Sequence, residues 1–184
     1  MSAKINYFDK NNKEEKDPES ISEKKIQGRI ILQNKGQYID SEFAHRYEEG
    51  KRDTIRIDLV KEKNGIIILE ELKKIDDDRM VSKNGDAEIL SQLTEYENFL
   101  SESFNNKALL QYYKKLVNIK KNLGLPVSCK ANELKNIERT PHLLIYNNYV
   151  KDHYKRTQKI NNIEKYLKEK KITYRIIVNE DHDS

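Results

Sequence analysis

The sequence predicts an α/β protein with a small mixed central β-sheet flanked by helices. Three observations support this fold class. Apolar, β-branched runs on both sides of an Asn64-Gly65 dipeptide predict a β-hairpin over residues 54–74. Segments 87–100 and 105–123 repeat apolar residues every three or four positions, which predicts amphipathic helices. Segment 142–178 reads as strand, long helix and strand, an order typical of a sheet covered by helices.

The chain before the hairpin is expected to hold a loose segment, a strand and a helix. Residues 1–25 are charged and poor in apolar side chains, which predicts a disordered or loosely packed segment. Residues 26–33 have the apolar content of a first strand. Ile39, Phe43 and Tyr47 recur every fourth residue, and this spacing predicts an amphipathic helix that Gly50 ends.

The chain after the hairpin is expected to complete a single domain over residues 26–179. Helix 87–100 carries a core stripe, and helix 105–123 is basic and amphipathic. Residues 126–140 read as irregular. The last elements are expected to be a buried strand at 142–147, a basic helix at 148–171 and a strand at 172–178, followed by an acidic tail at 180–184.

Charge is distributed unevenly along a chain whose net charge is +4. Residues 26–106 carry 17 acidic and 12 basic side chains, whereas residues 107–175 carry 5 acidic and 17 basic ones. An acidic cation site beside a basic surface suits a phosphate backbone, although lysine-rich helices are also ordinary solvated faces. The candidate nucleic-acid-binding residues are Lys114, Lys115, Lys155, Arg156 and Lys159.

Several classes of protein are not expected from this sequence. It has no run of 18 apolar residues, so no membrane association is expected. The first residues also lack the apolar core of a signal peptide. Cys129 is the single cysteine, which excludes an intrachain disulfide and any zinc site built on cysteines. The four histidines show no metal-ligand spacing. These features predict a cytoplasmic protein.

The hairpin also places three charged residues close together. Side chains on a strand alternate, so Glu71 and Lys73 share a face about 6–7 Å apart along the strand. The hairpin brings Asp58 on the preceding strand close to them. Mg²⁺ or Mn²⁺ needs only one or two carboxylates and keeps several waters, so Asp58 and Glu71 are candidate metal ligands. A solvated surface hairpin with a Glu-Lys pair is the alternative interpretation.

This arrangement resembles the PD-(D/E)XK nuclease superfamily. The matching residues are Asp58 on one strand and Glu71-x-Lys73 at the end of the next; the proline of the motif is absent, because Ile57 precedes Asp58. Gln92-x-x-x-Tyr96 follows in the next predicted helix and resembles the third motif of the RecB-like branch. The resemblance implies a restriction-endonuclease-like core, and its motifs cover residues 36–100.

The resemblance also implies a role for each candidate residue. Asp58 and Glu71 would bind the metal, and Lys73 would orient or activate the attacking water. Gln92 and Tyr96 would contact the substrate. Members of the superfamily often carry a further Glu on the helix before the Asp strand, for which Glu42 is the first candidate and Glu48 the alternative.

The function expected from these residues is metal-dependent hydrolysis of phosphodiester bonds in DNA, as in restriction, repair or phage defence. Two alternatives belong to other classes. One is a non-catalytic nucleic-acid-binding relative that keeps the nuclease fold, and the other is a protein-interaction module that uses the charge asymmetry. DNA or RNA as the nucleic acid, and a homodimer or partner subunits, remain open.

Overall fold

The computed structural model describes residues 21–34, 36–46, 54–81, 85–148 and 154–178. The segment 1–20, the candidate Glu48 and the predicted acidic tail 180–184 lie outside these ranges. The helices within them are α1 (Glu23–Gln33), α2 (Glu88–Ser101), α3 (Ser103–Asn122) and α4 (Tyr154–Glu169). The strands are β1 (Tyr38–Arg46), β2 (Thr54–Lys63), β3 (Ile66–Lys74), β4 (Asn136–Ile137), β5 (His142–Asn147) and β6 (Tyr174–Val178).

The strands form one mixed sheet in the order β1-β2-β3-β5-β6, and the short β4 pairs with β3. The pairs β1–β2 and β2–β3 are antiparallel. The pairs β3–β5 and β5–β6 are parallel, as is β3–β4. The predicted α/β fold class, a mixed sheet flanked by helices, is therefore confirmed.

The two faces of the sheet are covered unequally. Helices α2, α3 and α4 pack on one face, where they bury the larger hydrophobic cluster with residues such as Ile67, Leu69 and Tyr96. Helix α1 packs on the other face over a smaller cluster that includes Leu59 and Leu72. No helix among the residues described above is long and apolar enough to cross a membrane.

The prediction of a strand at 26–33 is wrong, because these residues form most of α1. Ser22 caps the helix, its hydroxyl accepting a hydrogen bond from the Lys25 N–H. Ile26 and Ile30 lie one helical turn apart and are both buried against the sheet. α1 begins at Glu23, so the last three residues of the segment 1–25 belong to it.

The prediction of a helix starting at Ile39 is also wrong, because residues 38–46 form the edge strand β1. The four-residue spacing of Ile39 and Phe43 does not distinguish the two structures: residues four apart share a face of a helix and also of a strand. Antiparallel pairing with β2 over nearly the whole strand satisfies the backbone and settles the choice.

The hairpin prediction is confirmed. Asn64 and Gly65 both have positive φ, 55° and 82°, as the two-residue turn between right-twisted strands requires. The Gly65 N–H donates to the Glu62 carboxylate at 2.7 Å, and the Gly65 carbonyl accepts from the Lys135 N–H at 2.8 Å. These bonds fix the turn, and with it the register of β2 against β3.

Candidate active site

Asp58 lies where the β2–β3 ladder stops. Paired residues run from Lys63–Ile66 at the turn to Leu59–Glu70. At the next position the Asp58 carboxylate itself accepts a hydrogen bond from the Leu72 N–H at 2.9 Å. The Asp58 side chain thus takes the place of a backbone carbonyl as the acceptor for Leu72. Asp58 therefore lies next to the segment of β3 that carries Glu71 and Lys73, as the sequence predicts.

Glu71 and Lys73 form a buried ion pair on β3. The Lys73 ammonium donates to Glu71 Oε1 and to the Leu72 carbonyl, the latter at 3.1 Å. Both residues are only 2% exposed. The two side chains share one face of the strand, as predicted. They are buried, so the alternative interpretation of a solvated surface Glu-Lys pair does not apply to them. A buried ion pair is costly to desolvate unless further hydrogen bonds satisfy it.

Gln92 and Tyr96 on α2 supply those further hydrogen bonds. The Gln92 amide donates to Glu71 Oε1 and to the Tyr96 hydroxyl oxygen, each at 2.7 Å. The Tyr96 hydroxyl donates to the Arg56 carbonyl and lies 3.1 Å from Glu71 Oε2. The two residues are one helical turn apart, so the same face of α2 reaches Glu71. The structure therefore brings the Gln-x-x-x-Tyr pair onto the Glu-x-Lys strand.

The two carboxylates resist ionisation. Burial, and then the negative charge of Asp58, raise the pKa of Glu71 to about 7. Burial also raises the pKa of Asp58, and the charge of Glu42 adds to this effect. Lys73 acts in the opposite direction on both groups. A second positive charge between the two carboxylates would favour their charged forms.

Glu42 lies on β1 rather than on a helix, which corrects its predicted setting. It falls between the pairs Ser41–Leu59 and Phe43–Ile57, and this register places it across from Asp58. Its backbone is left-handed, with φ of 57°. Glu42 is exposed and lines the same cavity as Asp58. The predicted proximity of the two carboxylates is therefore present, although the predicted helix is not.

The cavity at Asp58 has a volume of about 360 Å³ and lies between α1 and the first three strands. Gln27 on α1 is almost buried, and its side-chain amide donates to the Asp58 carbonyl at 2.5 Å. Neither Glu71 nor Lys73 lines the cavity. The lining residues are Glu23, Lys24, Gln27, Glu42, Ala44, Arg56, Ile57, Asp58 and Leu72.

Glu23 and Arg79 also belong to this site, and the sequence analysis missed both. Glu23 is in the first turn of α1, where burial raises the pKa of its carboxyl group. Arg79 Nη2 lies 3.8 Å from Glu23 Oε1 and donates to Asp77 at 2.6 Å. A helix start at Glu23 could have been predicted, because Ser22 precedes it as a cap and buried isoleucines follow at helical spacing, but only the packing of α1 brings Glu23 to the site.

The predicted basic residues divide into two groups. Lys155 and Lys159 on α4 line a cavity of about 330 Å³ together with Met80, the residue that follows Arg79. Arg156 is on the same helix. Lys114 and Lys115 lie on α3, and neither lines the cavity at Asp58. The structure thus brings the α4 pair near the segment that follows β3, but not the α3 pair.

The donor set suits a hard divalent cation held by few protein ligands. Within the described ranges, no group of three or more His, Cys, Asp or Glu side chains is arranged to hold a metal ion. Mg²⁺ commonly uses one or two carboxylates and retains water. Asp58 and Glu71 are the two carboxylates available for such a site, and burial together with the charge of Asp58 raises the pKa of Glu71.

No family model matches this chain, and comparison with curated proteins and with solved structures found no match either.

Proposed function

We propose that this chain is a divalent-metal-dependent nuclease that hydrolyses phosphodiester bonds in DNA. One observation carries the proposal. Glu71 and Lys73 from the hairpin and Gln92 and Tyr96 from α2 form one hydrogen-bonded group at the end of the β2–β3 ladder. The Asp58 carboxylate lies beside this group and accepts from the N–H of Leu72, the residue between Glu71 and Lys73. The mixed sheet flanked by helices agrees with the PD-(D/E)XK fold that the motif implies.

Asp58 and Glu71 would hold Mg²⁺ or Mn²⁺. The bound ion would polarise a phosphoryl oxygen and lower the pKa of a water. Two hydrogen bonds hold Asp58 at the cavity. The Leu72 N–H donates to its carboxylate, and the side-chain amide of Gln27 donates to its backbone carbonyl. Lys73 holds the Glu71 carboxylate, and its positive charge would offset negative charge that develops on the phosphate.

Gln92 and Tyr96 are better suited to positioning Glu71 than to contacting the substrate. Tyr96 is only 2% exposed, and both side chains already donate hydrogen bonds within the site. A carboxylate fixed by several donors keeps one orientation, which a metal ligand requires. Lys155 and Lys159, which line the cavity beside Met80, are candidates to hold part of the phosphate backbone.

The test is a calorimetric titration of Mg²⁺ and Mn²⁺ into wild type and Asp58→Ala/Glu71→Ala, with a plasmid-nicking assay beside it. We expect metal binding and nicking in the wild type and neither in the double variant. Glu95→Ala, an exposed carboxylate on α2, is the matched control and should behave as wild type. Nicking that persists in the double variant would refute the proposed site.

A second function, a non-catalytic nucleic-acid-binding module, is favoured by the burial of Glu71 and Lys73, which are 2% exposed. Binding to DNA that falls with salt but is unchanged by EDTA, without cleavage, is the result expected for it. The proposal includes DNA as the partner, self-association or partner subunits, and a cytoplasmic location.

A further inference from the structure

A cavity lined by aromatic rings lies at the edge of the sheet, between β1 and the start of α3. Its volume is about 200 Å³. Five of its eight lining residues carry an aromatic or imidazole ring: Phe43, His45, Phe99, Phe104 and Tyr112. The other three are Asn105, Ala108 and Leu109. Flat walls of this kind suit a planar, aromatic ligand.

Four of the rings contact one another in pairs. The centroids of His45 and Phe99 are 5.0 Å apart, and those of Phe43 and Tyr112 are 6.3 Å apart. Phe104, in contrast, is 80% exposed, and Tyr112 is 48% exposed. Large apolar side chains grouped at a surface in this way indicate a binding site more often than isolated ones do.

The helix that forms one wall of the cavity is positively charged. α3 carries five lysines and no acidic residue over its 20 residues. Lys107 and Lys115 lie on the exposed side of the helix that also carries Phe104. Two acidic residues are nearby: Glu102, which accepts from Asn105 at 2.8 Å, and Asp40, whose charge acts on Tyr112. Exposed rings between lysines are the combination that binds single-stranded nucleic acid, because bases stack and phosphates pair.

β1 connects this cavity to the candidate active site. Glu42 and Ala44 line the cavity that contains Asp58, whereas Phe43 and His45 line the aromatic cavity. Alternate residues of one strand point to opposite faces, so the two cavities lie on opposite faces of the sheet at β1. β1 is also an edge strand of the sheet. A flexible nucleotide chain crossing this edge would reach both cavities.

We propose that the aromatic cavity binds an unpaired base of a single-stranded nucleic acid, with its backbone along the lysines of α3. This inference rests on the proposed nuclease function and specifies its substrate as a single strand or a frayed end. Bases inside a duplex are stacked and paired, so they cannot enter the cavity without being unpaired first. Lys107 and Lys115, which line neither cavity, would then contact phosphates.

The test is fluorescence anisotropy with a labelled oligothymidylate, and with a labelled duplex, in EDTA at low salt. Phe104→Ala should weaken binding of the single strand by about tenfold to a hundredfold and leave duplex binding nearly unchanged. Phe104→Trp should retain the affinity, because it keeps an aromatic face. Leu123→Ala is the matched control, an apolar residue at the end of the same helix that is 69% exposed and lies outside the cavity.

The outcomes separate this inference from the proposed function. EDTA removes divalent ions, so binding is measured whether or not the protein cleaves DNA. Tight binding that depends on Phe104, without cleavage when Mg²⁺ is added, supports the cavity and refutes the nuclease. Equal loss of single-strand and duplex binding in Phe104→Ala, no loss at all, or no oligonucleotide binding by the wild type overturns the inference.

Discussion

Glu71→Gln is expected to stabilise the protein at high pH while removing the proposed metal site. The substitution retains Oε1 as an acceptor for Lys73 and Gln92. Its new amide can donate to the Tyr96 oxygen, because the Tyr96 hydrogen is directed at the Arg56 carbonyl. The change therefore imitates the protonated carboxyl group of Glu71 with little alteration of the packing.

The magnitude follows from the pKa of Glu71, which burial and the charge of Asp58 raise from 4.5 to about 7. In the unfolded chain this group ionises near its ordinary pKa, whereas in the folded protein it keeps its proton until near pH 7. Between these values the folded state binds more protons, so stability falls as pH rises, and the loss is complete above pH 7. The shift corresponds to about 3 kcal/mol at pH 8 and to little at pH 4.

The assay is urea unfolding of the wild type and Glu71→Gln at pH 5 and pH 8 in EDTA, with Glu95→Gln as the exposed control. We expect a gain of about 3 kcal/mol for Glu71→Gln at pH 8 and a much smaller gain at pH 5. Saturating Mg²⁺ should then stabilise the wild type by about 2.7 kcal/mol at 100 times Kd, and not the variant. If the difference in unfolding free energy between Glu71→Gln and wild type is the same at pH 5 and pH 8, the reasoning is refuted.

Three further predictions concern residues around the hairpin and the site. Gly65→Ala should lower the free energy of unfolding by about 1–3 kcal/mol in urea, because its φ is +82° and a Cβ would lie 2.4 Å from the Glu133 carbonyl oxygen; Asn64→Gly is the tolerated control. Gln27→Ala should cost about 1–2 kcal/mol and slow nicking, because the Asp58 carbonyl loses its donor; normal nicking would contradict this positioning role. Tyr96→Phe should cost about 1 kcal/mol and weaken Mg²⁺ binding in calorimetry, because Glu71 loses a fixed neighbour; unchanged affinity would exclude Tyr96 from the site.

The sequence alone was sufficient for the elements whose local signals agree with their tertiary setting. Asn64-Gly65 accepts positive φ at both positions and lies between two β-branched runs, so the hairpin follows from short-range chemistry. The helix containing Gln92 and Tyr96 repeats apolar residues at helical spacing, and it forms as predicted. These two elements carry the predicted motif residues, so the relative positions of those residues follow from the same local signals.

Local pattern misassigned the two elements that precede the hairpin. Residues 26–33 and 39–46 have short apolar patterns that fit a helix and a strand about equally well. β1 is a strand because β2 offers it backbone partners, and α1 is a helix because its isoleucines cover the sheet. Glu23 and Gln27 were missed as site residues for the same reason, since only the packing of α1 brings them to Asp58.

The sequence by itself determined the hairpin and the later helices and strands except the short β4, which lies in a segment expected to be irregular. It also fixed which of the five motif residues share a face, because spacing along one strand or one helical turn decides this. Only the tertiary structure decided the burial of Glu71 and Lys73, the placement of Glu23, Glu42 and Arg79, and the two cavities on either side of β1. Those properties depend on which surfaces pack together, and contacts between distant segments leave no local pattern in the chain.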